Sequence, residues 1–196
     1  MPSEAAVGPR TGCCRQLSKF SILSEDDARM LREASSVVLT VKDAIVRRVV
    51  NALFSDAEAA KHLESGGLGP EHIKRMIEGW IEATFRGELG ADYCVEVAKV
   101  GLVFAKARVP LLIVLTRLPL VTQELLKHFP SGSQHLVPVL KVLLTSMRII
   151  AVSYESVRQR MIEKMRETLG VKETLYSRLE AIAVGELFRE LEARPA

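Results

Sequence analysis

The chain has 196 residues, 48% of them apolar and 26% charged, with 27 Lys and Arg against 24 Asp and Glu for a formal net charge of +3. That length suits one domain, or one domain with an appendage, and the apolar content supports a packed core. A disordered chain, a collagen-like repeat and a small disulfide scaffold are excluded. One Trp and three Tyr on a mildly basic chain offer no basic-aromatic surface of the kind that binds nucleic acid.

Three cysteines cannot close as a set of disulfides. Cys13 and Cys14 are adjacent, Cys94 lies in a helical pattern, and no C-x-x-C or Cys/His spacing suits zinc. Three free thiols in a reducing cytoplasm are expected. The segment Met1–Lys19 is polar, holds Pro2, Gly8 and Pro9, and lacks the apolar stretch of a secretory signal. The most apolar segment, His135–Tyr154, carries Lys141 and Arg148, which argues against a membrane span.

Ser24-Glu25-Asp26-Asp27 reads as a capping box, with three acids at the positive end of the helix dipole. A first helix continues through Met30, Leu31 and Ala34, and a second runs from about Leu39 to Phe54. The second helix has Ile45, Val46, Val49, Val50 and Leu53 on one face and Lys42, Arg47 and Arg48 off it. A short helix, Asp56–Leu63, is capped by Ser55 and ended by Ser65-Gly66-Gly67. Gly69-Pro70 opens the next, because Pro is tolerated where the amide has no helical partner. Its apolar stripe is Ile73, Met76, Ile77, Trp80 and, further on, Thr84, and it stops at Arg86-Gly87.

Another helix begins near Ala91 and carries Tyr93, Val97, Val100 and Phe104 up to Pro110. Leu111–His128 is a further helix with a kink expected at Pro119, and Pro130-Ser131-Gly132-Ser133 is a loop. Leu136–Leu169 is long, with Lys141, Thr145, Arg148, Glu155 and Gln159 as its polar stripe, and Gly170 caps it. Glu173–Leu191 shows Leu175, Leu179, Ile182, Leu187 and Leu191 on one face. No strand-type alternation occurs, so the fold is all-α with about eight helices.

Catalytic signatures are missing: no phosphate loop, H-E-x-x-H or G-x-S-x-G is present. The acid pairs Asp26-Asp27 and Glu186/Glu190 fall at caps or on polar faces, where a carboxylate is not tuned for acid/base work. His62, His72, His128 and His135 lie near helix ends among polar neighbours and share no metal spacing. No enzyme is indicated.

From Phe85 the chain reads F-R-G-E-L-G-A-D-Y-C-V-E-V-A-K-V-G-L-V-F-A-K-A-R-V-P. This resembles the protoglobin and globin-coupled sensor family, whose F-x-G and Tyr lead into I-G-x-x-H-x-R and then Pro. Phe85, Gly87, Tyr93, Val100, Gly101, Lys106 and Pro110 fall in register without a gap. The segment Lys141–Tyr154 is similar to the family's terminal globin helix, and Leu23–Phe54, with its Asp43-x-Ile45-Val46, to its first two. The resemblance spans about residues 18–158 and is moderately specific.

The resemblance implies a globin-like helical sandwich over 20–158, preceded by a flexible segment 1–19 and succeeded by a helical extension 159–196. In the family the His of I-G-x-x-H is the proximal haem ligand; the matching residue here is Phe104, whose ring has no lone pair for iron. The family's gas-binding Tyr aligns with Val50, beside Val49. The expected pocket, Val49, Val50, Ile77, Trp80, Val100 and Phe104, is therefore apolar. No cofactor is expected in it, and a slim apolar ligand such as a fatty acid is a candidate occupant.

A sensor or regulator that acts through such a ligand or through protein contact is the first reading. A haem-binding gas sensor using an unusual ligand such as His72 is the alternative, and a helical dimerisation scaffold without ligand is the second alternative. Family sensors dimerise through their last globin helices, so a homodimer is expected through Val139, Leu143, Met147 and Ile150, with Lys141 and Arg148 at the rim. No transmitter domain continues this sequence, so the output is expected to pass to a separate partner protein.

Overall fold

The computed structural model describes residues 22–192, with side chains as far as 189. Its described residues form eight α-helices and no strand: α1 Glu25–Phe54, α2 Ala57–Ser65, α3 Pro70–Phe85, α4 Ala91–Lys106, α5 Leu111–Leu115, α6 Leu118–Leu126, α7 Leu136–Leu169 and α8 Glu173–Glu192. The fold class expected from the sequence is therefore the one observed. Two compact units divide the chain, the first ending at Val157 and the second beginning at Arg158. The cysteines Cys13 and Cys14 and the segment 1–19 lie outside the described residues.

The capping box at Ser24 forms as expected. Ser24 Oγ accepts from the Asp27 amide at 3.1 Å, and the Asp27 carboxylate accepts from the Ser24 amide at 2.8 Å. From this cap the chain runs as one helix of 30 residues, not two. Leu31, Ala34, Val38, Val41, Ile45, Val49 and Leu53 are all buried along it. That stripe runs unbroken through Val37-Val38-Leu39, and no Gly or Pro interrupts it, so tertiary burial outweighs the weak helix propensity of the β-branched residues.

Two other boundaries differ from expectation. Asp56, not Ser55, caps α2, its carboxylate accepting from the Glu58 and Ala59 amides at 3.1 Å each. Pro119 does not kink a helix: the expected Leu111–His128 helix is two, α5 and α6, with Pro119 in the first turn of α6, where its missing amide costs nothing.

In the first unit α1 packs on α2, α3 and α6, α3 packs on α4, and α5 on both α4 and α6. The chain turns between α3 and α4 at Gly87, whose φ is +73°. A Cβ there would run into Arg32 and the Ala28 carbonyl, and the Gly87 carbonyl instead accepts from Arg32 Nη1 at 2.9 Å.

By length and composition α7 is apolar enough to cross a membrane. Part of its apolar surface is spent inside the domain: Val139, Val142, Ile149 and Ile150 are at most 2% exposed. Lys141 on the same helix reaches both Asp27 oxygens at 3.0 and 3.1 Å. Burial pushes the Asp27 carboxyl up, but the bonds from Ser24 and Lys141 outweigh it and hold the group below the usual carboxylate range. Lys141 thus ties α7 to the start of α1 within the domain.

The second unit has a different character. No residue from 158 to 189 is buried. Arg166 pairs with Glu173 and lies 4.9 Å over the Tyr176 ring, and the Lys164 ammonium meets Glu167 at 3.0 Å. Leu175, Leu179, Ile182, Leu187 and Phe188 of α8 are each at least half exposed.

Gly101 lets α4 approach α7 closely. A Cβ at this position would overlap Ser153 Oγ and the Ile150 carbonyl oxygen of α7. The Ile150 carbonyl belongs to a helix backbone and cannot swing aside. Gly101→Ala is therefore expected to lower unfolding free energy by about 1–3 kcal/mol, the range for overpacking. The gain in helix propensity from Gly to Ala, about 1 kcal/mol, does not cancel it. Urea unfolding monitored by circular dichroism measures the change.

Candidate functional site

An apolar cavity of about 40 Å³ lies in the first unit. Val49 and Leu53 reach it from α1, Ile77 and Trp80 from α3, and Val100 and Phe104 from α4. Val114 of α5, Leu118 and Val121 of α6, and Ile150 of α7 complete the apolar wall. Arg117, in the short link between α5 and α6, is the one charged residue of the lining.

Five of the six residues expected in the pocket, Val49, Ile77, Trp80, Val100 and Phe104, meet in this cavity. Val50 does not; it is half-buried and turned about 100° around α1 from Val49. Ile150, expected on a dimer face, is 2% exposed and lines the cavity instead. Val139 and Leu143, at 0% and 5% exposed, also belong to the domain core, and Met147 packs half-buried against it. The reason is the wide apolar arc of α7: the half that carries these residues faces inward, and Val137, Leu140 and Leu144 stay exposed.

His72 is not at the cavity. It is exposed at the start of α3 and borders a surface groove shared with Arg75, Met76, Glu96 and Lys99. Ile73, the next residue, takes the inward position with 0% exposure. Neither this histidine nor any other lines the cavity.

Cys94, 6% exposed in the first turn of α4, is disulfide-bonded. The expectation of three free thiols is corrected, and the cytoplasmic expectation loses the support it drew from them.

Sequence reasoning missed two features of the cavity. Arg117 is one; a lone Arg in an apolar helical stretch carries no motif. Its Nη2 donates to Asp56 Oδ2 at 2.8 Å, joining the α5–α6 link to the cap of α2. Asp56 is held below the usual carboxylate range, first by the Ala59 amide and then, once burial is offset, by the Arg117 charge. The other feature is a pair of buried donors without acceptors, Trp80 Nε1 and Arg117 Nε. Both belong to side chains of the cavity wall.

The residues that carry the sequence resemblance position this site from behind. Phe85 and Val100 are buried on the packed faces of α3 and α4. Tyr93, 4% exposed, bonds through its hydroxyl to Ser146 Oγ at 3.0 Å, which fixes the first turn of α4 against α7. Tyr154 does the same at the other end, donating to the Val109 carbonyl at 2.9 Å. Between these anchors Gly101 lets the helices touch, and Val100 and Phe104 are delivered to the cavity.

Packed helices enclosing a central apolar cavity, with these anchors in place, define a globin-like domain. Among solved structures, the globin domain of a Geobacter sulfurreducens globin-coupled sensor matches with a TM-score of 0.62 at 20% identity, covering 71% of this chain and 96% of that one. That likeness is one of fold. Residues 13–167 match the protoglobin family model, and the chain belongs to the protoglobin family. No curated protein matches it.

Burial pushes the Tyr93 phenol up to about 12, against the opposing bond to Ser146. An unfolded Tyr titrates near 10. Below pH 10 both states keep the proton; between about 10 and 12 the unfolded chain releases it while the folded chain holds it. Stability is therefore expected to fall as pH rises through that window, by up to about 1.4 kcal/mol per pH unit from this group. Tyr93→Phe removes that contribution to the slope, and urea midpoints at pH 9 and pH 11 for the two proteins measure the difference.

Proposed function

We propose that this protoglobin-family domain is a haem-free sensor or regulator, which acts by taking up a small apolar molecule or by protein contact. The observation that carries the reading is the cavity lining. Family membership implies haem, and this lining does not fit it. A cavity of about 40 Å³ is far below the roughly 300–1,000 Å³ of sites that take drug-sized ligands. Its wall holds no His, Cys, Met or Tyr that could bind iron, and the position that matches the family's proximal histidine is Phe104.

A gas sensor with haem on an unusual ligand is the competing reading, and family membership is what favours it. His72, the candidate axial ligand, stands outside the cavity on the solvent side of α3. No catalytic role is proposed, because the cavity brings together no nucleophile and base.

The same reading gives the domain a partner surface. Val139, Leu143 and Ile150 are engaged in the core, so self-association falls to other residues. The exposed apolar side chains Leu175, Leu179 and Ile182 of α8 lie at helical spacing on one face and have nothing buried against them in their own unit. A helix with such a stripe needs a partner, and a second copy of the chain supplies an identical stripe by two-fold symmetry. A separate signalling protein is the further partner that a domain of this kind needs to pass on its state.

Two measurements test this reading. Hemin titrated into purified protein is expected to leave only the spectrum of free hemin; a stoichiometric Soret band with a protein-derived axial ligand overturns the haem-free reading. Light scattering at micromolar concentration is expected to give twice the chain mass, reduced to one chain mass by Leu179→Glu with Ile182→Glu. A monomeric parent chain overturns the dimer.

A further inference from the structure

We propose that the surface groove between α3 and α4 is where the separate signalling partner docks, and that the partner presents there an amphipathic α-helix with an acidic flank. The inference rests on the reading of the domain as a regulator that passes its state to another chain, and it names the surface and the kind of segment involved. It starts from Gly79, which stands inside α3 and borders the groove. A glycine in a helix interior weakens the helix relative to alanine. Among the described residues nothing requires one here: the backbone is helical, and an added Cβ would meet no atom within 4 Å. The close approach that the missing side chain permits is therefore open to another molecule.

The groove has a floor and a rim. His72, Arg75, Met76 and Gly79 border it from α3 at helical spacing, and Glu96, Lys99 and Val103 from α4, around a space of about 330 Å³. At 1.5 Å per residue the stretch from His72 to Gly79 is about 10 Å long, or about two turns, and the stretch from Glu96 to Val103 equals it. Met76, Gly79 and Val103 are half-buried and form an apolar floor. The unbranched thioether of Met76 adapts to whatever lies on it.

The walls decide what kind of segment fits. Both are helices, whose interior N–H and C=O groups are closed in their own ladders. An extended peptide laid here finds no backbone to pair with, as it would at a sheet edge. A helix arrives with its own bonds closed and needs only side-chain contact, with anchors one and two turns apart.

Charge then selects among helices. Lys99 is held by Glu96 of its own helix. Arg75 gives its Nε–H to the Glu71 carbonyl at 3.3 Å and meets no carboxylate among the described residues. An acidic residue beside the partner's anchors supplies that carboxylate. A second copy of the same groove does not, because a two-fold contact of this surface with itself sets Arg75 and Lys99 against their own kind.

Fluorescence anisotropy of labelled peptides reads docking on the full-length protein. The peptides are side-chain-stapled, because short isolated helices are marginal in water. One has Leu anchors on one face with Glu beside them, a second has Lys in place of Glu, and a third has Pro at its centre. The acidic peptide is expected to bind saturably and several-fold more tightly than the Lys peptide, and the Pro peptide is expected not to bind. Arg75→Glu is expected to reverse the preference between the acidic and the Lys peptide. Gly79→Ala is expected to raise the urea midpoint, since the helix gains and the new methyl meets nothing, and yet to weaken the acidic peptide several-fold. A merely structural role for Gly79 lowers the midpoint instead.

No saturable binding, equal binding of the acidic and Lys peptides, undiminished binding of the Pro peptide, or a Gly79→Ala protein that binds as before or unfolds at lower urea overturns the proposal. A changed mass for Gly79→Ala by light scattering makes the groove a contact between copies of this chain and overturns it too. Each of these results leaves the haem-free reading and the α8 dimer standing, which hemin titration and the α8 variants test separately.

Discussion

The contact on which the rest of the first unit depends is the meeting of α4 and α7 at Gly101. With no Cβ on one side, the Ile150 carbonyl and the Ser153 hydroxyl of the other helix approach the α4 backbone directly. Helix surfaces normally stand apart by the length of their side chains, so this approach sets both the distance and the register. The register then decides the site. Val100 and Phe104 flank Gly101 at −1 and +3 on α4, and Ile150 supplies both the carbonyl at the contact and a side chain in the cavity wall. Tyr93 on Ser146 and Tyr154 on the Val109 carbonyl pin the seam at its two ends, each with a buried hydroxyl bond. A helix that slid by one position along this seam would strand all of them.

The opposite wall is held differently. Lys42 of α1 meets Glu82 of α3 at 2.7 Å, Arg48 of α1 meets Glu124 of α6 at 2.7 Å, and Arg117 meets Asp56. These pairs are partly exposed and screened by solvent, and contribute little net stability. Their value is placement: each fixes an element that has few residues to bury. The helix α5 has five residues, of which only Val114 is buried, and the Arg117 link comes directly after it. The cavity therefore has one wall of interlocked helix backbones and one of short elements held by ion pairs. A ligand that needs more room displaces the second wall at lower cost, because less buried apolar contact is lost there.

Much of this is legible in the chain itself, and the residues that resist show why the rest is not. The helical period locates the buried stripes of α1, α3 and α4, and the F-x-G, Tyr and V-G spacing places α4 correctly against its neighbours. The length of α1 is not legible, since Val37-Val38-Leu39 weakens a helix locally and only the long buried stripe across it shows that the helix continues. Pro119 signals a disruption, but whether a Pro bends a helix or begins one depends on where the preceding turn ends. The inward half of α7 looks like an interface in sequence because periodicity says which residues share a face, not which body covers it. Arg117 and the bonded Cys94 carry no local signal at all; the role of Arg117 comes from Asp56, 61 positions away in the sequence.

Phe104 brings these threads to one point. A buried imidazole at that position would need an acceptor or a metal for its nitrogens, and leaving one unmet costs about 1–3 kcal/mol. The phenyl ring, 3% exposed, instead contributes about 1.5–3 kcal/mol by leaving water. On the α4 side the wall is thus self-sufficient and asks for nothing. The two buried donors without a protein acceptor lie elsewhere, in Trp80 on α3 and Arg117 in the α5–α6 link.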